Sequence, residues 1–399
     1  MNNKNDTKKY LKFNLLTFLI VFVLASPSIF IQKVNADFEN LLAHEVYNVA
    51  LRTISEKFYF KTSSHIENLG NKFQNKIHSL ADAHRYITKL IKELNDPYTK
   101  FLTKEEFKDE QDIINASFVG IGIKLAANKP LVLDVISGSP ADKTGIKNGD
   151  YVTSIDGKHT RFLTTSQITK LLRGPKDSLV SIGVKRGNEI VSKLVQREEL
   201  NFKTVSSNLL PGNLALIKID SFVPENTSTL LKEELLKVMS ANGLILDLRN
   251  NSGGLLKNAV EIADMFLSEG RIVSTVYNAK NINEFANSSK LFNSKVVILV
   301  NENTASASEI LSSALRENGR ATLIGKKTFG KGLVQEIVKL PDDSALHVTT
   351  AAYLTPSGKN IDKIGLIPDE IILDADKQLR RAKEILTGSK KDNLRIASL

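Results

Sequence analysis

The amino-acid sequence predicts an α/β fold in the C-terminal half of the chain, preceded by a helical region and a module of short strands. Over residues 201–375, apolar strand-like runs such as Lys295–Val300 alternate with segments of helical apolar spacing such as Thr227–Met239. This alternation is typical of α/β proteins. Residues 37–111 show amphipathic helical spacing, whereas residues 112–200 contain short apolar runs between glycine turns.

The composition limits the classes of function that the chain can have. Its 399 residues are 42% hydrophobic and 25% charged, which is enough for two or three folded domains. The absence of cysteine excludes thiol proteases and disulfide scaffolds, and the six histidines form no metal-binding motif. We therefore expect no metal and no cofactor. The net charge of +10 includes no arginine-rich tract, so a nucleic-acid partner is not expected.

The N-terminus predicts export. Lysines precede the apolar run Leu15–Ala25, and Val34–Ala36 then offers small residues to a signal peptidase. This order predicts a signal over residues 1–36 and a periplasmic or other extracytoplasmic location. Because apolar residues continue beyond the first run, the alternative is an uncleaved inner-membrane anchor, with membrane association through residues 13–32.

The region 112–200 carries a series of short elements in a recognisable order. Among them are Phe118–Ile123 (F-V-G-I-G-I), Ser139–Ile146 and Gly149–Asp150. Taken alone, the glycine pair would be a simple turn, but the whole series resembles a PDZ module. Such a module adds an extended peptide to a sheet edge while loop N–H groups hold the peptide carboxylate. The resemblance implies a peptide-binding loop and edge formed by Phe118, Gly120, Ile121 and Gly122.

A candidate nucleophile lies in the segment Asn303–Glu309 (N-T-A-S-A-S-E), between a predicted strand and a predicted helix. Ser306 is therefore expected at a helix N-terminus, where unpaired N–H groups and the helix dipole would stabilise a developing oxyanion. The structural alternative is a capping box, in which Ser306 and Glu309 satisfy each other's backbone donors.

Two further segments complete the candidate site. Thr328–Gln335 (T-F-G-K-G-L-V-Q) offers Lys331 as a base. Its surroundings also match the start of a phosphate-binding loop, but Gly332 stands where a magnesium-binding hydroxyl is needed and a strand-like run follows instead of a helix. Gly243–Leu256 runs from a buried strand into a glycine-rich turn, which is suited to placing backbone N–H groups close to a ligand.

The order D-x-R-N-N-x-G-G, then S-A-S-E, then F-G-K-G-x-V-Q, resembles the C-terminal processing peptidases, also called tail-specific proteases. The resemblance extends from about Glu45 to about Asp374. It implies a serine peptidase whose core, over residues 201–385, is a crotonase-like ββα spiral, followed by a tail over residues 386–399. Two positions depart from the family pattern: Ser252 replaces a common proline, and Glu317 replaces a common shorter carboxylate.

The resemblance also assigns roles residue by residue. It implies that the nucleophile is Ser306, the general base is Lys331, the side chain that orients the lysine is Gln335, and the oxyanion hole is formed by Ala307 and by Gly253 or Gly254. A lysine base must be neutral, and free lysine has a pKa of about 10.4. Burial or neighbouring cations such as Lys326 and Lys327 would have to destabilise the ammonium by about 3 to 4 kcal/mol.

We therefore expect an exported serine endopeptidase that engages exposed apolar protein C-termini through its PDZ module and cleaves with Ser306 and Lys331. The rival from another class is a non-catalytic PDZ adaptor on a peptidase fold. The intact Ser306, Lys331 and Gln335 argue against this rival. The other partners considered are a second copy of the chain, as a homo-oligomer, and a separate adaptor protein.

Overall fold

The computed structural model describes residues 37–388, except 61–63, 116, 127–128, 202–203, 278–279 and 288–289. The chain forms two compact units. Of the described residues, the first unit comprises those up to Phe107 together with Leu333–Ala352, and the second comprises those of Lys108–Gly332 and those from Tyr353 to residue 388. The predicted signal or anchor at residues 1–36 lies outside the described residues, as does the tail beyond residue 388. Among the helices that are described, none combines the length and apolar content needed to cross a bilayer.

The helices and strands are numbered in chain order. The helices described are α1 (37–57), α2 (Ser64–Gln74), α3 (Leu80–Glu93), α4 (Lys104–Ile114), α5 (Pro140–Lys143), α6 (Thr165–Leu172), α7 (Thr227–Lys237), α8 (Leu256–Asp264), α9 (Ala307–Glu317) and α10 (Ala375–Thr387). The strands described are β1 (Lys100–Leu102), β2 (Ser117–Gly120), β3 (Ile123–Ala126), β4 (Lys129–Val135), β5 (Tyr151–Ile155), β6 (Lys158–His159), β7 (Leu179–Arg186), β8 (Glu189–Gln196), β9 (Glu198–Asn201), β10 (Val205–Leu210), β11 (Leu214–Ile219), β12 (Gly243–Asp247), β13 (Arg271–Tyr277), β14 (Lys280–Phe285), β15 (Lys295–Val300), β16 (Ala321–Gly325), β17 (Leu333–Lys339), β18 (Ala345–Leu354) and β19 (Glu370–Ile371).

The first unit is built on amphipathic helices, as the sequence predicts. The apolar faces of α1 and α3 bury Ile54 and Ile87, and these side chains join a core that includes Leu346 and Val348 of β18. Ser79 caps α3 by accepting the Asp82 backbone N–H at 3.2 Å, which satisfies one of the donors left free at a helix start.

A small antiparallel sheet completes the first unit. Strand β18 pairs with β17 on one side and with β1 on the other. Gln335 of β17 lies directly opposite Thr349 of β18, next to a register shift between Val334 and Gln335. Such irregularities re-aim side chains and are common beside functional sites. The segment Leu333–Ala352 thus belongs to this unit, although its sequence motif is continuous with that of Lys331.

The second unit contains the strands of the predicted PDZ module. The sheet runs in the order β3-β4-β5-β7-β8, so among the described strands β3 has a partner on one side only. Its core buries Ile121, Val132, Ile168 and Val180. Strands β2 and β9, which begin and end this region, pair with each other in a separate two-stranded sheet.

The same unit contains a six-stranded sheet in the order β10-β11-β12-β15-β16-β19. All neighbouring pairs are parallel except β10 with β11. Helix α10 covers one face through Ala382 and Leu386, which pack among Ile245, Val297 and Ile324. The α/β class predicted from the alternation of strands and helices is therefore confirmed, whereas the ββα-spiral detail stays a prediction.

The hairpin of β13 and β14 is absent from the sequence-based prediction. Its strands pair antiparallel from Arg271–Phe285 to Tyr277–Lys280. Strand β14 reads K-N-I-N-E-F, and every one of its residues is exposed. Polar, exposed strands lack the apolar run or alternation that marks a strand in sequence, so pairing with β13 decides this element.

Candidate active site

The three predicted catalytic segments begin where neighbouring parallel strands end. The glycine-rich turn follows β12, the segment of Ser306 follows β15, and the segment of Lys331 follows β16. Strand β15 lies between β12 and β16 in the sheet. Because parallel strands end at one edge, segments that are distant in the chain emerge side by side there.

Ser306 immediately precedes α9 and has a strained backbone. Its backbone angles, φ 54° and ψ −120°, lie in a region that residues other than glycine rarely adopt. The Glu309 backbone N–H, which a capping serine hydroxyl would accept, is donated to the Ser306 carbonyl at 2.8 Å. The Glu309 carboxylate in turn accepts the Ser306 N–H at 2.9 Å, as the glutamate of a capping box does.

Glu309 joins the serine and lysine segments. Its Oε2 accepts the backbone N–H groups of Ser306 and Lys331, each at 2.9 Å. Its Oε1 accepts the Gly330 N–H at 2.8 Å and the Thr328 hydroxyl at 2.5 Å. The side chain is inaccessible to solvent, and burial raises the pKa of its carboxyl group while these four hydrogen bonds oppose the rise.

The Glu309 contacts settle the position of one segment relative to the other. Since one oxygen atom accepts from both backbone nitrogens, the nitrogens of Ser306 and Lys331 cannot be farther apart than twice that hydrogen-bond length. The buried Tyr353 hydroxyl gives a second connection, because it contacts the carbonyl oxygen of Ser306 at 3.3 Å and that of Lys331. Two segments separated by 25 residues in sequence are thus held together through their main chains.

Asn251 shapes the glycine-rich turn beside the serine. Its side-chain oxygen accepts the Gly253 N–H at 2.9 Å, and its amide nitrogen donates to the Ile219 carbonyl at 2.8 Å. A Cβ on Gly253 would lie 2.8 Å from the Ala307 backbone nitrogen, so only glycine permits this approach. Ser252, where a proline is common in the family that the sequence resembles, is exposed, and the Asn251 contacts hold the turn around it.

Asp247 and Arg249 anchor the start of the same turn. The Arg249 guanidinium donates to both carboxylate oxygens of Asp247, at 2.8 and 2.6 Å. It also reaches the Ala375 carbonyl and the Gln378 side chain of α10. The hydrogen bonds that Arg249 donates to the Asp247 carboxylate raise the pKa of Arg249 above its ordinary value.

Other predicted residues lie elsewhere. Glu317 is at the far end of α9, about 16 Å along the helix from Ser306, where its carboxylate accepts the Ser357 N–H. Lys326 forms an ion pair with Glu302 at 3.1 Å. Its charge is thereby balanced, and the expected repulsion between Lys326 and the Lys331 ammonium is correspondingly weakened. Gln335 lies in the first unit on β17 and donates its side-chain N–H to the Thr349 hydroxyl at 3.3 Å.

The predicted peptide-binding loop precedes the open strand edge. Gly120, like Phe118, belongs to β2 and is paired with β9, so the available edge starts at Ile123 of β3. The Ile121 side chain is buried, and its carbonyl accepts the Ala141 N–H at 2.8 Å. Gly122 has a φ of 87° and lies against Ser139, leaving no room for a side chain. The open edge therefore begins at Ile123, directly after the segment Gly120–Gly122, whose first residue ends β2.

Sequence reasoning did not find the roles of Glu309, Asn251 and Tyr353. One signal was present for Glu309: it is the only ionisable residue in the run Ala307–Leu315, and every residue of that run is buried. A charged group in such a helix needs hydrogen-bonding partners, which points to a site. Asn251 and Tyr353 act largely on backbone groups, which leave no mark in the sequence.

Comparisons with known proteins agree with the arrangement of the elements. A profile described as peptidase family S41 matches residues 213–372, and one described as a PDZ domain matches residues 131–186. A carboxyl-terminal-processing protease from Picosynechococcus sp. is 33% identical over 407 residues, covering 95% of this chain and 97% of the relative. The carboxyl-terminal-processing peptidase 2, chloroplastic, of Arabidopsis thaliana is 32% identical over 381 residues, covering 89% and 72%.

Solved structures give the same picture of the fold. A photosystem II D1 C-terminal processing protease superimposes with a TM-score of 0.58 and 27% identity, over 85% of this chain and 97% of that chain. A putative S41 protease from Bacteroides fragilis superimposes with a TM-score of 0.54, over 86% of this chain and 97% of its own. Its 16% identity bears on the fold alone.

Proposed function

We propose a mechanism from the premise that the chain belongs to peptidase family S41 and is a serine peptidase similar to the C-terminal processing proteases. In this mechanism the enzyme cleaves peptide bonds with Ser306 as the nucleophile and Lys331 as the general base. Its substrates are proteins or peptides. The supporting observation is that a single oxygen of Glu309 accepts the backbone N–H groups of both residues. This contact holds the segments of the proposed nucleophile and base side by side, and the proposed pair requires no histidine as base.

In the proposed reaction, neutral Lys331 takes the proton of the Ser306 hydroxyl as the oxygen attacks the scissile carbonyl. The carbonyl oxygen becomes an oxyanion, and the C–N bond breaks as the lysine returns the proton to the leaving amine. Lys331 then takes a proton from a water molecule that attacks the acyl carbonyl, the ester bond to Ser306 breaks, and the lysine returns the proton to the serine oxygen as the carboxylic acid product leaves. Gln335 serves as the side chain that orients the lysine.

We assign the oxyanion hole to the backbone N–H groups of Ala307 and Gly254. The Gly253 N–H is already donated to Asn251. Among the described residues, no acceptor is found for the N–H of Gly254 or of Ala307. Ala307 is the first residue of α9, where helix geometry leaves the N–H unpaired and the dipole favours negative charge.

The PDZ domain is proposed to bind the C-terminus of the substrate. A peptide strand would add to the open edge of β3, with its carboxylate at the Gly120–Gly122 loop. Helix α6 begins close to the end of this strand, since the Thr165 hydroxyl donates to the Ala126 carbonyl at 3.1 Å. We propose apolar C-termini and, from the N-terminal signal, an extracytoplasmic location.

A lysine base predicts a pH-dependent rate. We expect kcat/KM to rise with pH as the Lys331 ammonium loses its proton, because only the neutral amine can accept the serine proton. The measurement is kcat/KM on an unstructured peptide from about pH 6 to 9, under conditions in which the chemical step limits the rate. Circular dichroism in each buffer controls for unfolding. A flat profile would contradict a titrating lysine base.

Recognition of a C-terminus predicts dependence on the free carboxylate. Amidation of an unstructured substrate that ends in apolar residues removes the terminal charge and leaves the scissile region unchanged. We expect slower cleavage at subsaturating substrate, expressed in KM more than in kcat. An internal control is a substrate whose C-terminal residues are charged, for which amidation should matter less. Equal rates for the free acid and the amide would reject this recognition while leaving the Ser306–Lys331 proposal intact.

A further inference from the structure

A short chain of side-chain hydrogen bonds ends at Gln335. The Gln335 amide nitrogen donates to the Thr349 hydroxyl at 3.3 Å, and this hydroxyl donates to Asp96 Oδ2 at 2.7 Å. Gln335 and Thr349 are direct partners in the pairing of β17 with β18, so their side chains share one face of the sheet. Thr349 is fully buried. All three residues belong to the first unit.

The directions of these hydrogen bonds follow from the number of protons available. Asp96 already accepts the Thr99 N–H at 3.0 Å, the Thr99 hydroxyl at 2.6 Å and the Tyr98 N–H at 3.2 Å. A carboxylate only accepts, so the Thr349 hydroxyl must give its single proton to Asp96. The oxygen of Thr349 is then left with lone pairs alone. The Thr349 oxygen can therefore only accept a hydrogen bond, so the Gln335 side chain must be oriented with its amide nitrogen toward Thr349.

From this we infer that Asp96 and Thr349 are positioning residues that fix the Gln335 amide with its nitrogen toward Thr349 and leave Oε1 as the amide atom able to accept a hydrogen bond from lysine. The inference rests on the proposed role of Gln335 in orienting Lys331. Only an amide oxygen can accept from the lysine N–H groups, whereas a reversed amide would oppose the ammonium with its own donors. The same inference gives a role to the sequence D-P-Y-T at residues 96–99, which lies between α3 and β1.

Substitutions at two neighbouring threonines test this assignment. Thr349→Val keeps the shape of the side chain but removes the acceptor for Gln335, and we expect kcat to fall about 10- to 100-fold with little change in KM. Thr349→Ser keeps the hydroxyl and should restore most of the rate. Thr350→Val is the matched control, because Thr350 is also buried and, within the described part of the chain, its hydroxyl makes no hydrogen bond to Gln335 or Asp96. Wild-type kcat in Thr349→Val would overturn the inference.

The pH profile distinguishes positioning from structural support. When the amide no longer accepts from the lysine, the ammonium loses a stabilising partner, and the rising limb of kcat/KM should move to lower pH in Thr349→Val. Asp96→Asn provides a second variant if the first folds poorly. Its amide can donate to Thr349, which reverses the direction of the chain, so the same fall in kcat and shift of the limb are expected. If the rise of kcat/KM occurred at the wild-type pH in both variants, the inference would be overturned.

A double-mutant cycle shows whether the effect passes through Gln335. On a Gln335→Ala background, Thr349→Val should change kcat by less than about twofold, since residues that act as one unit are not additive. A full additional loss would assign Thr349 a purely structural role and overturn the inference. The failure of the proposed function is separate, because it would appear as retained cleavage in Ser306→Ala or Lys331→Ala, which touch neither Thr349 nor Asp96.

Discussion

Replacement of Ser306 or Lys331 is expected to lower cleavage of an unfolded protein by about four to six orders of magnitude. Ser306→Ala removes the attacking oxygen, and Lys331→Ala removes the base. Lys331→Arg should be equally inactive, because arginine stays charged and cannot take the serine proton. The double variant Ser306→Ala with Lys331→Ala should be no slower than either single variant, since the two residues act in one proton transfer. The measurement is kcat/KM for each variant with a fluorogenic unstructured substrate.

Stability measurements on the same variants separate catalysis from folding. The Glu309 N–H keeps the Ser306 carbonyl as its acceptor when the hydroxyl is removed, so Ser306→Ala should change the free energy of unfolding by less than about 0.5 kcal/mol. Ser306→Gly should be more stable than Ser306→Ala by about 1 kcal/mol or more, because the backbone at residue 306 has a positive φ. Cleavage by Ser306→Ala or Lys331→Arg above the uncatalysed rate would contradict the dyad.

Glu309→Gln is expected to lower both stability and activity. The carboxylate accepts four hydrogen bonds, whereas a glutamine offers one acceptor oxygen and an NH2 group. The two donors opposite the new NH2 group would lose their acceptor while staying buried, and we expect a loss of about 2 to 5 kcal/mol in the free energy of unfolding. Activity should fall as well, since Oε2 holds the main chains of Ser306 and Lys331. Urea unfolding and kcat/KM measure the two effects.

Glu317→Gln is the matched control for this prediction. Glu317 lies on the same helix, is exposed, and accepts a single backbone N–H. Its replacement should change stability by no more than about 0.5 kcal/mol and leave cleavage at the wild-type rate. Glu309→Gln with wild-type stability and kcat/KM would show that the carboxylate does not hold the two segments together.

Local patterns predicted much of the fold. The strands β11, β12, β15 and β16 and the helices between them follow from apolar runs and helical spacing that the chain displays over a few residues. The position of Ser306 before α9 follows from the same patterns. Strand β14 could not be predicted in this way, because its polar residues are strand-forming only when paired with β13.

The site was predictable only in part, for a related reason. The sequence motifs identify Ser306, Lys331 and Gln335 through a family resemblance, but spacing alone cannot bring residues 306 and 331 together. The structure does so through Glu309 and Tyr353, whose partners are backbone N–H and carbonyl groups. Every residue carries such groups, so their identity leaves no signature in the sequence.

By itself, the sequence determined the class of the fold, the presence of a PDZ module before a peptidase core, and the residue types that peptide hydrolysis requires. Only the tertiary structure decided that the Gly253 N–H is already donated to Asn251, that the open strand edge begins at Ile123, and that Asp96 reaches Gln335 through Thr349. The physical reason is range. Helical and strand periodicity act between near neighbours, whereas Thr349 meets Asp96 across 253 positions of the chain, and only folding creates that contact.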